Sequence, residues 1–331
     1  VRDRTTSRTV ARRYLPAVLV LLLGAGCGAV EEGPDDGSSA AVAEEPPAAV
    51  AGREATEPPD SAGPGDEVPT DPQVARALEE LEAQFDARLG VVAVDTGSGQ
   101  QVEYRADERF AYASTIKAPL AGVVLATTDD TELDQVLTFT EADLVAYSPV
   151  TQDRVSTGMT RRELAEAAVR RSDNTAANLL LRDVGGPAGL RSALQAVGDD
   201  VTRPVRDEPS LNEAVPGDVR DTTTPRAMAA TLRAFAVGAA LDTDDRDLFN
   251  DWLLGNTTGD DLIRAGTPAG WAVGDKTGTG GFGTRNDIAV VTPPGRAPVV
   301  LAVFSDKGQP DADHDDRLVA AAAREVLDAF E

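Results

Sequence analysis

The chain has 331 residues, with 56 acidic against 31 basic side chains and a net charge of −25. That balance excludes a nucleic-acid-binding face, which needs clustered cations to neutralise phosphates. The only histidine, His314, lies in a polar stretch near the C-terminus, and the only cysteine, Cys27, lies in an N-terminal leader. These counts leave no Ser-His-Asp triad, no Cys-His nucleophile and no Cys/His zinc site, so an activated serine must use lysine or a carboxylate as its base. Neither a metal nor a cofactor is expected.

Residues 1–27 read as an export signal. Five arginines against one aspartate form a basic start, and Leu15 to Leu23 form an apolar stretch too short to span a bilayer. Gly24-Ala25-Gly26-Cys27 is similar to a bacterial lipobox, in which the cysteine is lipidated, although Gly24 stands where a leucine is usual. Ordinary cleavage nearby is the alternative to lipidation at Cys27, and Arg12-Arg13 leaves twin-arginine export open beside the general route. Without this segment the net charge is −29. Residues 28–70 are Ala, Pro, Gly, Glu and Asp with almost nothing to bury, so they are expected to form a disordered acidic linker. The protein is expected to be exported, either anchored in the cell envelope or secreted, and monomeric.

The folded domain is expected at 71–331. Val74, Leu78, Leu81 and Phe85 recur at helical spacing and predict a helix over Pro72–Leu89. Gly90–Asp95 predicts a buried strand, a glycine turn follows, and Gln100–Arg105 predicts the return strand. From Ser114 to about Leu254 the pattern is mostly helical, clearest at Leu164–Val184 and Pro225–Gly238. Strands return at Trp271–Thr277, Arg285–Thr292 and Pro298–Ser305, and Asp316–Phe330 closes as an amphipathic helix. Strands at both ends with helices between predict an α+β fold. Its antiparallel sheet is built from N- and C-terminal strands flanked by helices (71–112 and 255–331), with an inserted all-helical lobe (113–254) and a cleft at the boundary.

The chain holds three lysines, and two of them belong to short motifs. Lysine, unlike arginine, readily gives up its proton when buried. Ser114 and Lys117 are three apart, which on a helix puts hydroxyl and ammonium on one face. At a first turn, the backbone N–H groups and the helix dipole favour negative charge on the serine oxygen. Pro119 removes a hydrogen bond to Thr115, so an irregular turn is expected there. Ser172-Asp173-Asn174 separates two helical runs, and Lys276-Thr277-Gly278-Thr279-Gly280 ends a strand. Taken singly, these stretches also read as a capped helix start, an N-cap and a glycine-rich hairpin. Their joint occurrence in this order is what carries the argument.

The chain resembles the class A serine β-lactamases from about residue 72 to the end. The matching text is Tyr112-Ala113-Ser114-Thr115-Ile116-Lys117, Tyr147-Ser148-Pro149-Val150-Thr151, Ser172-Asp173-Asn174, Glu208-Pro209-Ser210-Leu211-Asn212 and Gly274-Asp275-Lys276-Thr277-Gly278. The resemblance implies hydrolysis of β-lactam antibiotics through an acyl-enzyme on Ser114, with either Lys117 or Glu208 acting through water as the acylation base. It further implies that Ser172 relays a proton to the leaving nitrogen and that Glu208 with Asn212 activates the deacylating water. Asn174, Lys276, Thr277, Gly278, Thr279 and Arg285 would bind substrate, with Tyr147 as a cleft wall. Arg264 competes with Arg285 for the carboxylate, and the N–H groups of Ser114 and Thr279 would form the oxyanion hole. Arg206 and Asp221 bracket the Glu208 segment as the family's Ω-loop ion pair does. Two rival functions fit parts of the pattern: a D,D-peptidase or penicillin-binding protein acting on peptidoglycan stem peptides, and a non-catalytic envelope lipoprotein. Glu208–Asn212 argues against the first, and the intact motifs argue against the second.

Overall fold

The computed structural model describes residues 71–330. The leader at 1–27, Cys27 and the linker at 28–70 lie outside the described residues.

Asp71 caps helix α1 (Pro72–Phe85) by accepting from Gln73 N–H, and Asp86 ends it in the left-handed conformation. The expected helix to Leu89 is therefore three to four residues too long. Leu89 continues the helical apolar spacing, yet it already belongs to strand β1 (Arg88–Asp95), which pairs with β2 (Gln101–Tyr104). β3 (Phe110–Ala111) leads into a 3-10 turn at Ala113–Ile116 and then α2 (Lys117–Thr127). There follow α3 (Asp130–Leu133), β4 (Val136–Leu137), β5 (Met159–Thr160), α4 (Arg161–Arg170), α5 (Asn174–Asp183) and α6 (Gly186–Ala196). The middle closes with β6 (Thr222–Thr223), α7 (Pro225–Ala236) and α8 (Thr243–Leu254). The last part is α9 (Ile263–Gly266), β7 (Ala272–Thr279), β8 (Arg285–Thr292), β9 (Val299–Asp306) and α10 (Asp316–Leu327).

The five long strands form one antiparallel sheet in the order β2-β1-β9-β8-β7. Both faces are covered, which explains why β8 and β9 read as near-continuous apolar runs rather than alternating ones. Val92, Ile288, Val300, Ala302 and Phe304 face the helical part, while Leu89, Val91, Ala289, Leu301 and Val303 pack with Leu318, Val319 and Val326 of α10. Helix α7 lies against β1, β8 and β9, so part of the inserted segment is itself a layer of the sheet lobe. The insert is also not wholly helical. β4 pairs with β5, and β6 pairs with β3 across the lobe boundary. Two-residue ribbons of this kind carry no readable period.

The fold places three things around one cleft. β7 is an edge strand, the N-terminus of α2 points at it, and the 172–174 turn joins α4 to α5 beside both.

Candidate active site

Ser114 and Lys117 meet because their turn is 3-10 rather than α-helical. In a 3-10 turn residues i and i+3 eclipse, and Lys117 Nζ lies 3.0 Å from Ser114 Oγ. The irregular first turn expected from Pro119 is thus found at Ala113–Ile116, and it is what aligns the pair. Ala113, just before Ser114, has φ of 46°, a left-handed conformation costly for a residue with a side chain. Tyr147 (φ 60°) and Ser172 (φ 53°) share that conformation.

Lys117 is fully buried and makes five polar contacts: Ser114 Oγ, Ser172 O at 2.8 Å, Ser172 Oγ at 3.3 Å, Asn174 Oδ1 at 2.5 Å and Glu208 Oε1 at 2.9 Å. Burial pushes its pKa below the usual lysine value, and the Glu208 carboxylate opposes that shift. Glu208 Oε1 is also 3.1 Å from Ser114 Oγ. The carboxylate therefore touches the Ser114 hydroxyl directly, where the resemblance implied contact through water. Two bases stand within proton-transfer distance of one hydroxyl.

Glu208 is held by its backbone as well as its side chain. Asn178 Nδ2 donates to Glu208 O, and Asn178 Oδ1 accepts from Glu208 N, each at 2.8 Å. Asn212 Nδ2 donates to the other carboxylate oxygen, while Asn212 Oδ1 is buried with no hydrogen-bond partner among the described residues. The loop carrying both is anchored by Asp221, which accepts from Arg206 Nε, from Tyr112 OH at 2.8 Å and from the N–H groups of Val205 and Arg206. This is the ion pair expected from the sequence.

Ser172 Oγ bridges the two lysines, 3.3 Å from Lys117 Nζ and 3.0 Å from Lys276 Nζ. Lys276 also donates to Thr277 O at 2.7 Å. Burial, with repulsion from Lys117 next, depresses its pKa to about 7. A hydroxyl between two lysine amines is well placed to pass a proton. Asp173 caps α5 through Ala176 N–H and also accepts from Val150 N, Thr151 N and Thr151 Oγ1, so the capping explanation holds for this residue and not for Ser172.

β7 approaches the turn at Ala113–Ile116 closely. A Cβ on Gly278 would stand 3.0 Å from Tyr112 O and 3.2 Å from Ala113 Cβ, so a side chain there would push strand and turn apart. Arg285 Nη1 donates to Thr279 Oγ1 at 2.6 Å, and its Nε pairs with Asp316. Arg264 instead pairs with the buried Asp275 behind the strand. That geometry favours Arg285 over its competitor. Asn174 Nδ2 donates to Ala146 O at 2.8 Å, which leaves its second proton for a ligand. Tyr147 is exposed, and its carbonyl accepts from Asn174 N–H at 3.0 Å.

Hydrogen bonds and ion pairs thus link Ser114, Lys117, Ser172, Asn174, Glu208, Asn212 and Lys276 in one network, with Thr277, Gly278 and Thr279 on the same strand as Lys276, Arg285 bonded to Thr279, and Tyr147 bonded to Asn174 through its carbonyl. Cys27 lies outside the described residues. Three supporting residues had no role in the sequence reading: Asn178, Asn256 and Thr258. Asn178 was findable, since it follows Asn174 by four on one helix face. The other two carry no local signal.

This fold, with a serine and two buried lysines facing a carboxylate, defines a serine hydrolase working by acyl transfer. The family model described as "Beta-lactamase enzyme family" matches residues 73–330. A β-lactamase of Amycolatopsis lactamdurans is 58% identical over 262 residues, covering 79% of this chain and 87% of that one. A β-lactamase of Bacillus amyloliquefaciens is 53% identical, covering 75% and 81%. The crystal structure of a class A β-lactamase from Clostridium kluyveri DSM 555 is similar with a TM-score of 0.78 at 48% identity, covering 78% of this chain and 99% of that one. The chain belongs to the β-lactamase enzyme family.

Proposed function

We propose that Ser114 is the nucleophile through which this β-lactamase opens its substrate, and that Glu208 then frees the product. Ser114 Oγ attacks the lactam carbonyl carbon while its proton passes to Lys117 or Glu208. The N–H groups of Ser114 and Thr279 hold the developing oxyanion, where one donor is worth about 10²–10³ in rate. The C–N bond breaks, and Ser172 gives the ring nitrogen its proton while taking back from the base, by way of Lys117, the proton that left Ser114. Water then adds to the ester as Glu208 takes its proton, the ester C–O bond breaks, and that proton passes from Glu208 to the returning Ser114 oxygen. The unpartnered Asn212 Oδ1 beside the Glu208 carboxylate supports this reading, because a water there finds two acceptors for its two protons. Lys276, Thr277, Thr279 and Arg285 bind the substrate carboxylate, Asn174 takes the side-chain amide, and Tyr147 walls the cleft.

The observation that carries the proposal is the position of Glu208, in contact with both Ser114 and Lys117. Purified protein is expected to hydrolyse nitrocefin. Well-folded protein without turnover would contradict the proposal. A penicillin ester that accumulates unhydrolysed would favour the peptidase instead.

Lys276 adds a pH test. A lysine is cationic below its pKa, so kcat/KM for an anionic substrate should fall as pH rises through about 7, where the free enzyme's Lys276 loses its charge. Lys276→Arg keeps its charge and should move that limb upward. A limb unmoved by the substitution would assign the titration to another group.

The address belongs to the same proposal. An export leader, lipid attachment at Cys27 and an acidic tether are supported by the residues of 1–70 alone. Mass spectrometry of the membrane fraction tests the lipid.

A further inference from the structure

A chain of polar groups, buried at Asp275, Asn256 and Thr277 and half-buried at Arg264 and Thr258, runs behind β7 and ends on the hydroxyl of Thr277. Asp275 accepts on both carboxylate oxygens, from Arg264 Nε at 2.6 Å and from Asn256 Nδ2. This fixes the Asn256 amide, because its nitrogen must face the carboxylate and its oxygen must face away. Asn256 Oδ1 accepts from Thr258 Oγ1 at 2.9 Å and from Thr258 N–H at 3.2 Å. Thr258 Oγ1 in turn lies 2.6 Å from Thr277 Oγ1. A hydroxyl has one proton, and Thr258 directs its own to Asn256. Thr277 must then be the donor in the 2.6 Å contact, which leaves its oxygen with lone pairs only. Lone pairs are the wrong complement for a carboxylate.

We propose that Thr258 is a positioning residue that holds the proton of Thr277 in the free enzyme, and that an anionic substrate binds by reversing both hydroxyls. In the bound order Thr277 donates to the substrate carboxylate and Thr258 donates to Thr277 Oγ1. Asn256 Oδ1 keeps only the Thr258 N–H. No proton is gained or lost. The inference rests on the carboxylate-binding role proposed above for Thr277.

Reversal gives up one hydrogen bond, from the Thr258 hydroxyl to Asn256. A residue without that hydroxyl has none to give up. Thr258→Val should therefore lower KM for nitrocefin about two- to tenfold, the size of one net hydrogen bond, with kcat within about twofold. Thr258→Ser should keep the parent values. A merely damaged site would raise KM, so the fall is diagnostic. Thr277→Val, measured alongside, should raise KM. If it does while Thr258→Val leaves KM unchanged or raised, the reversal is wrong and the carboxylate role stands. If Thr277→Val does not move KM, the carboxylate role has failed and the reversal goes with it. Neutron diffraction from exchanged crystals of the unsubstituted protein gives a check free of any substitution. The Thr277 deuteron should point at Thr258 without ligand and at the carboxylate of a bound β-lactam. A deuteron already facing the cleft in the free protein would overturn the proposal.

Discussion

Replacing Ser114 by alanine is expected to lower nitrocefin turnover by about 10⁴-fold or more, the range seen when a serine hydrolase loses its nucleophile. No other group here can take over. Ser172 Oγ is held between two lysine amines, and the described residues include no thiol. The fold should survive, because among the described residues Ser114 Oγ bonds only to Lys117 and Glu208, and those two hold each other at 2.9 Å without it. Steady-state rates on the folded variant, with its circular dichroism matched to the parent, check this outcome. Residual turnover within tenfold of the parent would move the nucleophile elsewhere.

Glu208→Ala should separate the two halves of the reaction. Acylation keeps Lys117 as a base 3.0 Å from the nucleophile, whereas deacylation loses the only carboxylate in contact with Ser114 among the described residues. Steady-state turnover is expected to fall about 10²–10⁴-fold, the usual worth of one general base, behind a stoichiometric burst of ring opening. Removing one member of a buried ion pair commonly destabilises by about 3–5 kcal/mol. Here the loss should fall below that range, since Lys117 still has Ser172 O and Asn174 Oδ1 and can lose its proton, which burial already favours. Rapid-mixing absorbance reads the burst, and thermal unfolding reads the stability. A variant that turns over at the parent rate would remove Glu208 from water activation.

The chemistry of this site was legible in the sequence where it is local. Ser114 and Lys117 sit three residues apart, and the side chains of Glu208 and Asn212 are four apart in one short loop, so each pair comes together through backbone geometry alone. The same holds for the long strands and for α10, whose apolar spacing spans enough turns to fix its type. Boundaries were less legible. Leu89 satisfies the helix period and the strand equally, and only the left-handed Asp86 decides between them. The groups that position the chemistry were not legible at all. Thr258 meets Thr277 across nineteen residues, and Asn178 meets Glu208 across thirty, contacts that exist only once β7 and the 208–213 loop have docked. The choice between Arg285 and Arg264 was open for the same reason: it turns on which carboxylate each guanidinium finds in three dimensions.

Intact-mass spectrometry of the parent and of Glu208→Ala, sampled over minutes with benzylpenicillin, tests the central claim most directly. Ring opening expels nothing, so an acyl-enzyme gains the full mass of the antibiotic. The variant should convert wholly to that species and keep it on Ser114, while the parent should return to its free mass as the antibiotic is consumed. An adduct that lingers on the parent, or none forming on either protein, would contradict the account.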